Sequence, residues 1–271
     1  AFAMMEAFFG TSFEDRRIVV GEMSTLCLGK HTLTFVTAPM VHWPEVIVTY
    51  DDADKVLFSA DGFGKFGALD VEEPWDDEAR RYYIGIVGKY GAQVQSVLQK
   101  AAGLDIRMLL PLHGFVWRQE LDYFLGKYDL WSRYEPEVRG VMIAYASVYG
   151  GTENAANVLA CRLAEKGVKV KMFDASVTPA SYIVSAAFQY SHLVFAATTY
   201  NMGIFVTMEQ LLHDIVAHQL ANRRYALIEN GSWSPVSGKK MQELLAPLKG
   251  WSELQTPLTV KSALRPDQDA Q

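Results

Sequence analysis

Val141-Met142-Ile143-Ala144-Tyr145-Ala146 is an unbroken apolar run, of the kind that forms a strand buried on both faces of a parallel sheet. It leads into Ser147-Val148-Tyr149-Gly150-Gly151-Thr152, and from Glu153 to Lys166 the apolar residues Ala155, Val158, Leu159 and Leu163 recur at helical spacing. Strand, tight loop and helix N-terminus together form a recipe for holding a phosphate, because free backbone N–H groups and the helix dipole both favour negative charge. The loop has no Lys-Ser or Lys-Thr for a nucleoside triphosphate and no G-x-G-x-x-G for a dinucleotide. Hydroxyls and N–H groups without a lysine suit a terminal phosphate monoester, which points toward a flavin mononucleotide. A plain strand-to-helix turn has a similar composition, so the loop alone leaves both readings open.

The pattern continues to the C-terminus. Strands are expected over 168–173, 192–197, 225–229 and 258–263, with helices over 179–188, 206–220 and 239–246. Alternating strand and helix gives a doubly wound parallel sheet, whose ligands lie beyond the carboxyl ends of the strands. Two further loops fall there. Thr198-Thr199-Tyr200-Asn201-Met202-Gly203 and the loop from Asn230-Gly231-Ser232-Trp233 to Gly238 offer Tyr200 and Trp233 as flat faces for a tricyclic ring. His192, His213 and His218 need no function, and Arg223-Arg224 reads as a solvated turn.

Residues 1–137 read differently. A half-buried strand follows the Gly29-Lys30 turn, and Val46–Tyr50 and Val56–Ser59 form a hairpin around an acidic turn. One long helix is expected over 78–102, a strand over 106–112, a short helix over 121–130 and a linker over 131–139. His42, Asp61 and His113 each lie at or just past a strand end. Imidazole and carboxylate suit iron or zinc, although loop histidines and Asp-Gly turns usually have no ligand.

The composition sets outer limits. At 271 residues, 50% of them hydrophobic and 21% charged, the chain is long enough for two domains of ordinary globular make-up. A net charge of −6 and the absence of a dense basic run argue against nucleic acid as a partner. No apolar stretch reaches membrane-spanning length. Two cysteines, Cys27 and Cys161, form no framework, so a reducing cytoplasm is the expected setting.

Three motifs, Met40-Val41-His42-Trp43-Pro44-Glu45, Phe58-Ser59-Ala60-Asp61-Gly62-Phe63-Gly64 and Leu112-His113-Gly114-Phe115-Val116-Trp117-Arg118, resemble those of the flavodiiron proteins. Tyr200-Asn201-Met202-Gly203 and Asn230-Gly231-Ser232-Trp233 resemble that family's flavin loops. The resemblance implies an α/β architecture. Residues 1–137 would be the C-terminal part of a metallo-β-lactamase-like αββα diiron domain, and 138–271 a flavodoxin-like FMN-binding domain with strand order 2-1-3-4-5. His42 and His113 would each ligate one iron, with Asp61 bridging both. The implied activity is reduction of dioxygen to water or of nitric oxide to nitrous oxide, with electrons passing through FMN. A small redox donor protein or flavin reductase would supply them, and a head-to-tail homodimer is implied.

The chain departs from the family pattern twice. The His-x-Glu-x-Asp-His motif that supplies four further ligands is nowhere in it, and no closing helix is expected beyond Leu264. Truncation at both ends is the simplest account. The alternatives are an FMN-dependent electron-transfer module without metal chemistry and, more weakly, a metallo-β-lactamase-like zinc hydrolase.

Overall fold

A computed structural model of the chain describes residues 1–268, and the last three residues of the C-terminal stretch considered above lie outside it. The chain divides into two compact units, the first ending at Arg133 and the second beginning at Tyr134. Among the described residues no helix is long and apolar enough to cross a membrane.

The first unit comprises α1 (Phe2–Phe9), β1 (Thr25–Cys27), β2 (Thr32–Thr37), β3 (Ile47–Asp51), β4 (Val56–Phe58), α2 (Trp75–Val87), α3 (Gly91–Ala101), β5 (Met108–Leu110) and α4 (Leu121–Ser132). Its sheet has the order β1-β2-β3-β4-β5. The first four strands pair antiparallel, and β5 joins β4 in parallel. The end of β2, the start of β3 and the ends of β4 and β5 therefore share one edge.

The long helix expected over 78–102 is two helices. The first starts earlier, at Trp75 behind Pro74, with Asp76, Asp77 and Glu78 in its first turn, where carboxylates complement the helix dipole. It gives way to a 3-10 turn at Gly88–Tyr90, flanked by Gly88 and Gly91, whose helix propensity is low. The linker expected over 131–139 is shorter. Trp131 and Ser132 end α4 and are 1% and 3% exposed, because this turn of α4 packs its aromatic face into the unit's core.

The second unit comprises β6 (Val138–Ala146), α5 (Gly151–Glu165), β7 (Lys169–Asp174), α6 (Ala180–Gln189), β8 (Tyr190–Tyr200), β9 (Gly203–Ile204), α7 (Val206–Ala217), β10 (Arg224–Asn230), α8 (Ser237–Leu245), β11 (Ser252–Glu253) and β12 (Leu258–Val260). The main sheet runs β7-β6-β8-β10-β11, with β12 also on β10, and all of these pairings are parallel. β11 pairs with the start of β10 and β12 with its end, so together they form a fifth strand interrupted before Pro257. Counted in this way the order is 2-1-3-4-5, as the family resemblance implied. Residues 140–144 and 193–197 are buried throughout, as two-sided coverage of a parallel sheet requires.

β8 extends three residues beyond the expected 192–197 strand. Thr199 and Tyr200 pair with Ile204 and Gly203 of β9, and Asn201 and Met202 form the two-residue turn with φ of 47° and 60°. Positive φ at both central residues is the type I′ pattern that matches strand twist.

Arg223 is not a solvated turn residue. It is 1% exposed, and its Nε donates to the Ala187 carbonyl while Nη2 donates to that of Phe188, at the C-terminal end of α6. Nη1 reaches the Tyr134 carbonyl at 2.7 Å. The guanidinium thus caps the negative end of a helix dipole. Burial pushes its pKa down to about 10. We predict that Arg223→Met destabilises the chain by about 2–4 kcal/mol in urea unfolding, by orphaning buried carbonyls. Arg223→Lys should recover only part of this, because an ammonium lacks the planar fork. A stability within about 0.5 kcal/mol of the parent would refute this capping role.

Candidate functional site

The parallel β4–β5 pair brings two of the predicted ligand loops together. Phe58 registers against Leu110, and just beyond them the Leu112 N–H donates to the Ala60 carbonyl at 2.8 Å. Asp61 lies in a tight turn in which Gly62 N–H donates to the Ser59 carbonyl and Ser59 Oγ donates to that of Gly62. Gly64 follows. A Cβ there would meet the His113 carbonyl at 3.0 Å and the Asp61 carbonyl at 3.1 Å, so a side chain would wedge the two loops apart. The third loop, between β2 and β3, is closed by Ala38 N–H donating to the Val46 carbonyl and Met40 N–H to that of Trp43.

At this edge the three predicted ligands converge. His42 Nε2 lies 3.1 Å from Asp61 Oδ2, and His113 Nε2 lies 3.4 Å from Asp61 Oδ1. The carboxylate therefore presents a different oxygen to each imidazole. A carboxylate can bridge two cations, whereas a neutral imidazole offers one lone pair, so this donor set fits a shared carboxylate between two metals.

Tyr82, within the helix expected over 78–102 and given no part in the site by the sequence, donates its hydroxyl to Asp61 Oδ1 at 3.2 Å. Burial, and then the neighbouring carboxylate, hold that phenol well above its ordinary pKa, so it remains a donor. The Tyr82 and His113 ring centroids are 5.8 Å apart. The signal was available only as Tyr82 on the α2 face that turned out to meet the loop.

A second cluster, His31, Asp51 and Asp54, brings ligand-type atoms within 4.8 Å of one another. Asp51 already receives His31 Nδ1 at 2.7 Å and the Ala53 N–H at 3.0 Å. An ion pair and an Asx turn account for it.

In the second unit the predicted loops gather at the carboxyl ends of β6, β8 and β10. Gly150 precedes α5 with φ of 83°, and its N–H donates to Ser147 Oγ, which leaves the first turn of α5 open at its N-terminus. Thr152 is 1% exposed, with its hydroxyl 2.9 Å from that of Thr198, tying the helix start to the end of β8. Thr199 Oγ1 accepts the N–H groups of Val236 and Ser237. Thr198, Thr199 and Tyr200 are thus strand residues, not loop residues, because β9 prolongs the ladder.

Asn230 and Gly231 are largely committed within the protein. Asn230 Oδ1 accepts the Ser262 N–H and its Nδ2 donates to the Ser262 carbonyl, while Gly231 N–H donates to the Val260 carbonyl. Ser232 and Ser262 share a hydroxyl bond of 2.7 Å. Ser262 also lies against Gly151, where a Cβ would meet its carbonyl oxygen at 1.9 Å. Sequence reading gave Ser262 no part in the site. The side chains of Val148, Tyr149, Tyr200 and Trp233 make no such hydrogen bond among the described residues and are exposed by 42%, 98%, 46% and 90%. Exposed aromatic faces beside an open helix N-terminus suit a ligand with both a phosphate and a flat ring.

The family described as ODP family beta lactamase matches residues 5–114. Rubredoxin-oxygen oxidoreductase from Megalodesulfovibrio gigas is 28% identical over 257 residues, covering 90% of this chain and 63% of that protein. Nitric oxide reductase from Moorella thermoacetica is 28% identical over 240 residues, covering 85% and 60%. The chain therefore spans about three fifths of the length of these relatives. Among solved structures, the rubredoxin oxygen:oxidoreductase of Desulfovibrio gigas superposes with a TM-score of 0.90 at 28% identity, covering 99% of this chain and 69% of that one. The flavodiiron protein of Giardia intestinalis gives 0.91 at 22% identity, with 99% and 68% coverage, and shares the fold. With the sheet order of the second unit and the three-loop edge of the first, these matches show that the chain is similar in sequence and fold to flavodiiron proteins.

Proposed function

We propose that the chain is part of an oxidoreductase that passes electrons from FMN to a diiron site reducing dioxygen to water, nitric oxide to nitrous oxide, or both. The observation that carries this reading is Asp61, whose two oxygens face His42 and His113 separately at 3.1 and 3.4 Å. Residues 1–137 are read as the C-terminal part of the metallo-β-lactamase-like diiron domain, supported by the family match over 5–114. Residues 138–271 are read as the flavodoxin-like FMN domain. The names of the two relatives support the choice of gases. Rubredoxin in one name supports a small redox protein as donor, with a flavin reductase as the other source. A head-to-tail homodimer and a cytoplasmic setting complete the reading; the exposed free thiols Cys27 and Cys161 accord with a reducing compartment.

Iron would supply the centre at which the diatomic is bound and reduced, and FMN the stepwise electron supply. His42, Asp61 and His113 hold the metals, and Tyr82 fixes the carboxylate by its hydroxyl on Oδ1. Backbone N–H groups of the Ser147–Thr152 loop would hold the phosphate at the start of α5. Tyr149, Tyr200 and Trp233 would offer flat faces to the ring, with the Asn201–Gly203 turn and the Asn230–Ser232 loop nearby.

Two tests follow. Titrated against this chain, FMN should bind with quenched fluorescence and FAD should not compete at equal concentration. Thr152→Ala, which cuts the tie between α5 and β8, should weaken FMN by about 1–3 kcal/mol. Equal preference for FAD would sink the mononucleotide reading, and an unchanged affinity would remove Thr152 from it. In the longer parent protein, Asp61→Ala should empty both iron positions, while His42→Ala and His113→Ala each empty mainly one and leave FMN in place. Elemental iron counts beside flavin absorbance decide this. Asp61→Ala retaining both irons would end the bridging assignment, and a parent that binds FMN but no iron would favour the electron-transfer module.

A further inference from the structure

An indole hydrogen bond and a run of aromatic contacts link the Asp61 turn to the protein surface. Phe63, two residues after Asp61, accepts the Trp117 Nε1–H on its carbonyl at 3.1 Å. The Trp117 ring lies 5.5 Å from Trp75, and Trp75 lies 6.4 Å from Tyr123, centroid to centroid. Tyr123 is 46% exposed. Its hydroxyl donates to Asp76, 2.7 Å from Oδ1 and 2.6 Å from Oδ2. The Trp75 Nε1–H is buried and finds no acceptor among the described residues.

We propose that Trp117, Trp75 and Tyr123 form a relay that carries oxidising equivalents away from the His42–Asp61–His113 edge to the surface. Packing accounts for the ring contacts. It does not call for an exposed phenol whose proton already has a carboxylate acceptor. Nor does it call for an indole between the other two rings whose N–H has no acceptor. An indole radical cation at Trp75 has nowhere to deposit its proton, so it is discharged by an electron from its neighbour. Tyrosine supplies that electron readily only when its proton can leave, and Asp76 is placed to take it. Lys127 Nζ lies 3.6 Å from Asp76 Oδ2.

One electron leaves the Trp117–Trp75 pair for the oxidant, Tyr123 returns one electron to the indole, and its phenolic proton moves to Asp76. The oxidant is reduced by one electron and Tyr123 is left as a neutral phenoxyl radical. A thiol or other one-electron donor at the surface reduces it again, with return of the proton. The physiological oxidant is a dioxygen-derived species at the ligand edge, so the relay's biological use rests on the function proposed above, but the relay itself is testable without metal.

The test uses the metal-free chain with a ruthenium polypyridyl photo-oxidant on Val116→Cys, next to Trp117, with Cys27→Ser and Cys161→Ser to make the label unique. After flash-quench oxidation, electron paramagnetic resonance should show a tyrosyl radical. Tyr123→Phe should abolish that signal and leave a tryptophanyl radical, and Trp75→Phe should suppress tyrosyl formation. Tyr123→Phe keeps the ring and removes only its hydroxyl, so it decides even where Trp75→Phe disturbs packing. A tyrosyl signal undiminished in Tyr123→Phe, or no tyrosyl radical in the labelled parent, overturns the relay. Because no iron is present, either outcome is independent of whether the parent protein binds iron.

Discussion

In both units a parallel strand pairing decides where chemistry can be placed. β4 and β5 are short, three residues each, yet their register sets the Ala60 carbonyl against the Leu112 N–H and thereby Asp61 against His113. Without that pairing these two residues would lie on unrelated loops 52 positions apart in sequence. In the second unit, β8 between β6 and β10 aligns the ends of three strands, and Thr152, Thr198 and Thr199 tie their loops together. Parallel strands point their carboxyl ends one way, so side chains distant in sequence arrive at one edge.

The polar groups that hold these edges are few and well paired. Lys65, whose side chain is fully buried, meets Glu73 at 2.6 Å and lies 4.9 Å from the Phe115 ring. It fastens the segment after Asp61 to the residues after His113, and Gly114 is the close neighbour that leaves it room. Arg223 does comparable work elsewhere, satisfying carbonyls that a helix end leaves open. Buried cations are tolerated here because each finds acceptors with good geometry.

The aromatic core of the first unit joins packing to the site. Phe63, two residues after Asp61, donates its N–H to the Tyr128 hydroxyl, and its ring lies tilted against that ring at 4.3 Å. Its carbonyl accepts from Trp117. One residue thus anchors the Asp61 turn on two aromatic side chains, one from α4 and one from the loop after β5. The turn carrying Asp61 is therefore held by the core beneath it.

The sequence by itself determined the alternation of strands and helices, the three candidate ligand residues and the loops at the strand ends, while the strand order of the second unit came only with the family resemblance. The former follow from local physics: hydrophobic period, glycine and proline punctuation, and motif chemistry act over a few residues. Only the tertiary structure decided that Arg223 is buried beneath α6, that α2 and α3 part at Gly88–Tyr90, and that β9 draws Thr198–Tyr200 into a strand. It also decided that Asn230 turns to Ser262, that Tyr82 reaches Asp61, and that the two Asp61 oxygens face different histidines. Each of these depends on a partner far along the chain. Sheet register and helix docking choose such partners, and neither is encoded in the spacing of neighbouring residues.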